Sequence, residues 1–140
     1  MRTKEACLQE LKTKGIRLTR SRKALISFLV AAHAPRAIPE IQTSFQKEGI
    51  VFHKTTLYRE LEFLINEGIV KEVIVSGEKR YYELVGEHHH HTVCLSCGDI
   101  RDIVFRENLL PIEQALSQED GFQVLEHSLE FFGLCRMCKI

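Results

Sequence analysis

Residues 54–75, KTTLYRELEFLINEGIVKEVIV, change period at Gly68. Before it, Leu57, Leu61, Leu64 and Ile65 recur at helical spacing and define one apolar face. After it, the run from Ile69 to Val75 has the period of two that belongs to a strand. Glycine is the usual residue just past a helix end, so Gly68 marks the switch. Ser76, Gly77 and Glu78 read as a turn, and residues 79–84 return as a second strand, completing a hairpin. A helix followed directly by a hairpin is the back half of a winged helix-turn-helix.

Working outward toward the N-terminus, residues 4–14 read as a first helix with Ala6, Leu8 and Leu11 apolar, closed by Gly15. Thr19 is a good N-cap for a second helix reaching roughly to His33. Pro35 and Pro39 punctuate the break, and Pro39 suits the first turn of a third helix over 40–47, ended by Gly49. Residues 1–84 are therefore expected to form a winged-helix DNA-binding domain. Val85, Gly86 and Glu87 form the expected hinge. Residues 88–140 read as a small α+β metal-binding module, with strands over 91–95 and 99–104, a helix over 107–118 and a last strand over 122–132. The fold class is α+β.

At 140 residues the chain makes one domain or two small ones, and two small ones need help such as a structural metal. No apolar run is long enough to span a membrane, and the first ten residues lack the apolar core of a signal peptide. A cytoplasmic protein is expected. The net charge of zero hides an asymmetry. Residues 1–82 hold 15 Lys/Arg against 9 Asp/Glu, and residues 83–140 hold 4 against 10. A basic front module suits a phosphate backbone; an acidic, histidine-bearing rear module suits a cation.

The helix beginning at Lys54 offers His53, Lys54, Thr55, Thr56, Tyr58 and Arg59 from its first turns. Arginine binds guanine bidentately, and threonine and tyrosine touch thymine methyls or phosphates. The N-terminal end of a recognition helix is the end that reaches base edges. Arg17, Arg20, Arg22 and Lys23 form a second basic cluster, and Lys79 and Arg80 sit on the wing. Together they read as a footprint on double-stranded DNA.

Four of the five cysteines fall in two Cys-x-x-Cys pairs, Cys94/Cys97 and Cys135/Cys138. In a reducing compartment that spacing points to metal rather than disulfides. Four thiolates close a tetrahedral Zn2+ site and leave no open position, so the site is expected to be structural. Cys7 lies outside the pattern.

His88, His89, His90 and His91 are consecutive. In an extended chain His89 and His91 share one face and His88 and His90 the other, so one run can feed two metal sites. Glu83 leads into the run; Asp102, Glu107 and Glu113 follow it. His127 is expected on the inner face of the last strand with Leu125, Leu129 and Phe131. Glu113 shares a helix face with Leu109, Ile112 and Leu116. Mixed imidazole and carboxylate sites suit Fe2+, Zn2+ or Mn2+. An enzyme is not expected, since the chain has no His-Glu-x-x-His motif and no base beside an open zinc. A metal store or chaperone is the alternative of another class, but would not need a basic winged module.

Gly15-Ile16-Arg17-Leu18-Thr19 with Arg22, Thr56-Leu57-Tyr58-Arg59, Glu67-Gly68-Ile69-Val70, the run from His88 to Gly98, His127-Ser128-Leu129 and Gly133-Leu134-Cys135 occur in order. Together they resemble the ferric uptake regulator family of bacterial metal-sensing repressors. The resemblance implies a homodimer joined through residues 88–140, the metal-binding dimerisation domain, on a palindromic operator, repressing metal-uptake or homeostasis genes when metal is bound. It implies sensor ligands at Glu83, His89, His91 and Asp102 and a second site at His88, His90 and His127. It also implies base contacts from Tyr58 and Arg59 and a minor-groove contact from Arg17. Arg36 stands where the family places a sensor histidine; His33, three residues earlier, is the substitute, or that ligand is lost. The second site's helix carboxylate is Glu113 by facing, with Glu107 the alternative. Asp102, where many iron sensors carry glutamate, resembles the peroxide-sensing branch, the alternative within the family.

Overall fold

A computed structural model describes residues 2–75, 79–104 and 109–140. The expected turn at Ser76, Gly77 and Glu78, and the candidate ligand Glu107, lie outside these residues. The chain divides into two compact units, Met1–Glu87 and His88–Ile140.

Unit 1 carries α1 (Lys4–Thr13), α2 (Arg20–Ala32), α3 (Ile38–Lys47), α4 (Lys54–Asn66), β1 (Val70–Ile74) and β2 (Arg80–Leu84). Two of its helices start on threonine caps: Thr3 accepts from the Ala6 N–H and Thr19 from the Arg22 N–H. α3 begins two residues before the expected start, because Pro39 sits in its first turn and Glu40 reaches back to the Ala37 N–H at 2.9 Å. At the end of α4 the Ile69 N–H donates to the Leu64 carbonyl at 2.9 Å, and Gly68 adopts φ +73°. That bond closes a Schellman turn and aims the chain into β1. β1 and β2 pair antiparallel, Val70 opposite Leu84 and Ile74 opposite Arg80. A third strand-like contact is absent from the sequence reading. Arg36 and Tyr82 exchange both backbone bonds, at 2.9 and 2.8 Å, tying the α2–α3 loop to the wing.

The core of unit 1 is continuous. Leu11, Leu25, Ile26, Ile41, Phe45, Leu57, Leu61 and Leu64 are buried, joined by Ile69 just before the hairpin and by Val70 and Tyr82 within it. Phe45 anchors it, stacked on Phe52 at 5.2 Å and tilted against Phe28 at 5.9 Å. Cys7 lies in the same core, and burial pushes its thiol up.

Unit 2 carries β3 (His90–Cys94), β4 (Ile100–Ile103), α5 (Leu110–Asp120) and β5 (Glu130–Gly133). The sheet order is β4-β3-β5, with β4 antiparallel and β5 parallel to β3. Two expectations need correction. The last strand is four residues long, because β3 begins at His90 and its register on β5 begins at His91 opposite Glu130. Residues 122–129 form no strand, and of them Leu129 accepts the His91 N–H at 3.4 Å. The helix starts three residues later than expected, with Pro111 in its first turn, and its apolar stripe is not inward. Leu110, Ile112 and Leu116 are exposed, as are Leu125 and Phe131. Among the described residues, no helix is long and apolar enough to cross a membrane.

Phe45 is 1% exposed, so Phe45→Ala should cost about 3–5 kcal/mol of unfolding free energy through lost burial and a residual cavity. Urea denaturation followed by circular dichroism checks this; a loss below about 1 kcal/mol would mean the core of unit 1 is not built around this ring.

Candidate metal centres and nucleic-acid face

Cys94 ends β3, Cys97 lies in the turn before β4, and Cys135 and Cys138 follow β5. The parallel β3–β5 pairing, with Cys94 opposite Gly133, carries both Cys-x-x-Cys segments to the same end of the sheet. Each segment turns on a backbone bond: Gly98 N–H to the Cys94 carbonyl at 2.9 Å, and Cys138 N–H to the Cys135 carbonyl at 3.0 Å. The four sulfurs lie within 4.8 Å of one another, and Cys97 Sγ is 3.8 Å from Cys135 Sγ. A tetrahedron with Zn–S bonds of about 2.3 Å has edges of about 3.8 Å. The arrangement therefore fits zinc.

The electrostatics agree. The Cys94 sulfur accepts the Cys135 N–H at 3.3 Å. Backbone N–H groups of Cys97 and Cys135 stabilise its thiolate, lowering its pKa to about 6. At Cys97 the Asp99 N–H works in the same direction. The surrounding sulfurs, Cys94 first, and burial outweigh it and push that thiol up to about 12. At Cys138 the bond to Ser96 is the largest single influence and, with Cys97, lowers the thiol, but the sulfurs of Cys135 and Cys94 together with burial outweigh them and raise it. A divalent cation relieves this crowding of negative charge.

The histidine rings sort by alternation. His88 and His90 pack edge to face at 4.6 Å, and His89 and His91 at 4.9 Å. On the first face His127 completes a cluster, 4.5 Å from His88 and 5.5 Å from His90 between ring centroids. The donor atoms of these three lie within 4.8 Å of one another. His127 approaches from the irregular chain before β5. Its Nδ1 meets Glu113 Oε1 at 2.7 Å, while its Nε2 is buried without a hydrogen-bond partner. An orphaned buried nitrogen among imidazoles fits a metal ligand, and a carboxylate on the opposite nitrogen is the partner that orients such a ligand. Glu113 thus stands behind His127, outside the three-histidine donor cluster. Burial first, and then the rings of His88 and His127, hold His90 below the usual imidazole value, so it stays neutral further into acid.

On the second face the β3–β4 register sets His91 directly opposite Asp102. His91 Nε2 is 3.5 Å and His89 Nε2 3.8 Å from Asp102 Oδ1, a two-histidine, one-carboxylate cluster within unit 2. Glu83 belongs to β2 in unit 1, where Lys71 Nζ stands 3.2 Å from its Oε1. His33 caps α2 in the left-handed conformation, φ 51°. Within unit 1 it joins no group of three or more donors among the described residues.

The expected nucleic-acid face lies in unit 1. Lys54, Thr55, Thr56, Tyr58 and Arg59 are exposed along α4, opposite buried Leu57, Leu61 and Leu64. Lys54 Nζ sits 5.9 Å from the Tyr58 ring centroid. Arg17 is exposed beside the start of α2. Arg22 differs: its guanidinium forms a forked pair with Glu60, at 3.0 and 2.9 Å, and donates to the Arg17 carbonyl at 2.6 Å. Sequence reasoning missed Glu60. The signal was an acidic residue in the middle of a helix meant for a polyanion, which calls for a cationic partner.

The profile of the ferric uptake regulator family matches residues 13–132. The peroxide operon regulator of Bacillus subtilis is 31% identical over 135 residues, covering 96% of this chain and 92% of that protein. The ferric uptake regulator of Helicobacter pylori, whose structure reveals three functional metal-binding sites, superimposes with a TM-score of 0.79 at 25% identity. That match covers 98% of this chain and 94% of the other. The peroxide-sensing regulator PerR of Streptococcus pyogenes gives a TM-score of 0.56 at 28% identity, over 99% and 95%.

Two outcomes follow from this geometry. Glu113→Gln should weaken divalent metal at the three-histidine cluster about 10–100-fold in competition with a chromophoric chelator; unchanged affinity would remove Glu113 from that site. Zinc must displace the protons that Cys97 and Cys138 hold at pH 7, whereas Cys94 loses its own above about pH 6. Calorimetry in buffers of different ionisation enthalpy should therefore show at least about two protons released per zinc at pH 7. Release of fewer would contradict the crowded-thiol account.

Proposed function

The chain belongs to the ferric uptake regulator family, and from that premise we propose how its two units work together. It is a metal-dependent DNA-binding transcriptional repressor and not an enzyme. The zinc held by Cys94, Cys97, Cys135 and Cys138 is structural. A second divalent metal, Fe2+, Zn2+ or Mn2+, is regulatory, and its ligands are His89, His91 and Asp102 of unit 2 with Glu83 of unit 1. His88, His90 and His127, backed by Glu113, form a further site. Either His33 substitutes as a fifth ligand to the regulatory metal or that ligand is lost. The observation that carries this reading is the His89–His91–Asp102 cluster, which begins five residues after the winged unit's last strand ends at Leu84.

The family's regulators are dimeric DNA-binding proteins. We propose that this chain pairs through unit 2, whose exposed Ile112, Phe131 and Phe132 form surface that a second copy covers. Two winged units then address the half-sites of a palindromic operator in the cytoplasm. Arg17, Lys54, Thr55, Thr56, Tyr58 and Arg59 meet the duplex. Metal favours one arrangement of the two units, DNA selects the same one, and each therefore tightens the other.

A peroxide-sensing role is the second reading. Asp102 and the likeness to the Bacillus subtilis peroxide operon regulator favour it. Peroxide added to the iron-loaded protein should then abolish DNA binding while sparing the manganese-loaded protein; equal behaviour of both would discard it.

Mobility shift with and without the regulatory metal tests the main reading. Stripping that metal while leaving the tetrathiolate zinc in place should weaken operator binding about 5–150-fold, the usual range of a coupling of 1–3 kcal/mol. Equal affinity in both states would end it. Affinity should also fall linearly on a log–log plot against salt, with a slope near −0.9 for each phosphate neutralised.

A further inference from the structure

Arg22 Nε donates to Glu60 Oε2 at 3.0 Å and Nη2 to Oε1 at 2.9 Å. Nη1 donates to the carbonyl of Arg17 at 2.6 Å, and the guanidinium carbon lies 4.2 Å from the centroid of the Phe63 ring. The two charged side chains are only 12% and 17% exposed. A planar fork clamped on a carboxylate and stacked on an aromatic face is a geometry that arginine makes and lysine does not.

The partners matter more than the pair. Glu60 and Phe63 belong to α4, the helix that presents Tyr58 and Arg59. The Arg17 carbonyl belongs to the residue whose side chain is the expected minor-groove contact. One guanidinium therefore bolts together the two elements that meet the duplex. We propose that Arg22 is a positioning residue for DNA recognition, with Glu60 its anchor on the recognition helix and Phe63 its platform. It sets the spacing between the Arg17 arm and α4 and does not itself contact a phosphate. The inference rests on the DNA-binding reading above and deepens it.

Charge alone and positioning predict opposite signs for one substitution. Glu60→Gln removes a negative charge from a surface offered to a polyanion, so simple electrostatics tightens DNA binding. If Glu60 holds Arg22 in place, the same substitution loosens the Arg17 arm and weakens sequence-specific binding. The probes are the duplex enriched from a random library by the metal-loaded wild-type protein, and a scrambled duplex of the same length and composition. Fluorescence anisotropy of the full chain, metal-loaded, reads both.

We expect Glu60→Gln to weaken binding to the enriched duplex about tenfold and to leave the scrambled duplex unchanged or bound more tightly. Arg22→Lys should behave the same way. The double variant should be no worse than Arg22→Lys alone, since residues acting through one contact are not additive. Glu60→Asp, which keeps the charge and shortens the reach, should also lose selectivity, and it serves if the glutamine variant melts far below wild type. Equal or tighter binding of the enriched duplex by both Glu60 variants, or fully additive losses in the double variant, would overturn the positioning role. Failure of wild-type protein to enrich any duplex would instead overturn the DNA-binding reading beneath it.

Discussion

Much of unit 2 depends on the alternation of side chains along β3. Successive residues of an extended strand face opposite ways. Along β3 and the two residues that lead into it, His88 and His90 fall on one face and His89 and His91 on the other, and Cys94 ends the same strand. β3 is held on both edges, by β4 and by β5, so a slip of one residue would exchange the two histidine faces together. The register that sets His91 against Asp102 on one side sets Cys94 against Gly133 on the other. Both histidine clusters are thus tied to the pairing of one five-residue strand.

The two units solve the problem of stability differently. Unit 1 buries a continuous core of leucine, isoleucine and phenylalanine between four helices and a hairpin. In unit 2 the buried apolar side chains among the described residues are Val93, Cys94 and Ile100. At about 1.5–3 kcal/mol per buried large side chain, so small a set cannot offset the conformational entropy of a segment this long. A closed zinc site, with apparent affinities of about 10–16 kcal/mol, can supply the difference together with a covering partner. The exposed stripe of α5 and the exposed Phe131 and Phe132 are the other half of that account.

Legibility in the sequence follows the same division. α4 was readable because Leu57, Leu61 and Leu64 face a core within their own unit, so their periodicity reports what they touch. The stripe of Ile112 and Leu116 is equally periodic, yet both residues are on the surface. Periodicity marks an apolar face, and it does not say whether the covering surface belongs to the same chain. The long strand expected over 122–132 shrank for a related reason: strand propensity is local, whereas a ladder needs a neighbour, and β3 supplies one only from His91 onward. The tetrathiolate was legible because Cys-x-x-Cys spacing encodes a knuckle locally. The exchange of bonds between Arg36 and Tyr82 was not, since backbone pairing across 46 residues leaves no mark on side-chain type.

In the proposed reading the donor sets divide the work between permanence and exchange. Four thiolates saturate a tetrahedral ion, so nothing else can enter and the ion behaves as part of the fold. Two imidazoles and a carboxylate, as at His89, His91 and Asp102, leave positions open and bind several first-row metals with affinities that differ. A sensor needs that weaker, reversible site, because an ion that never leaves carries no information. It also needs the site to be shaped before the ion arrives, since ordering the strand at the moment of binding would consume the differential affinity on which the population shift depends. The closed site and the open one share β3, and the first can hold the second ready.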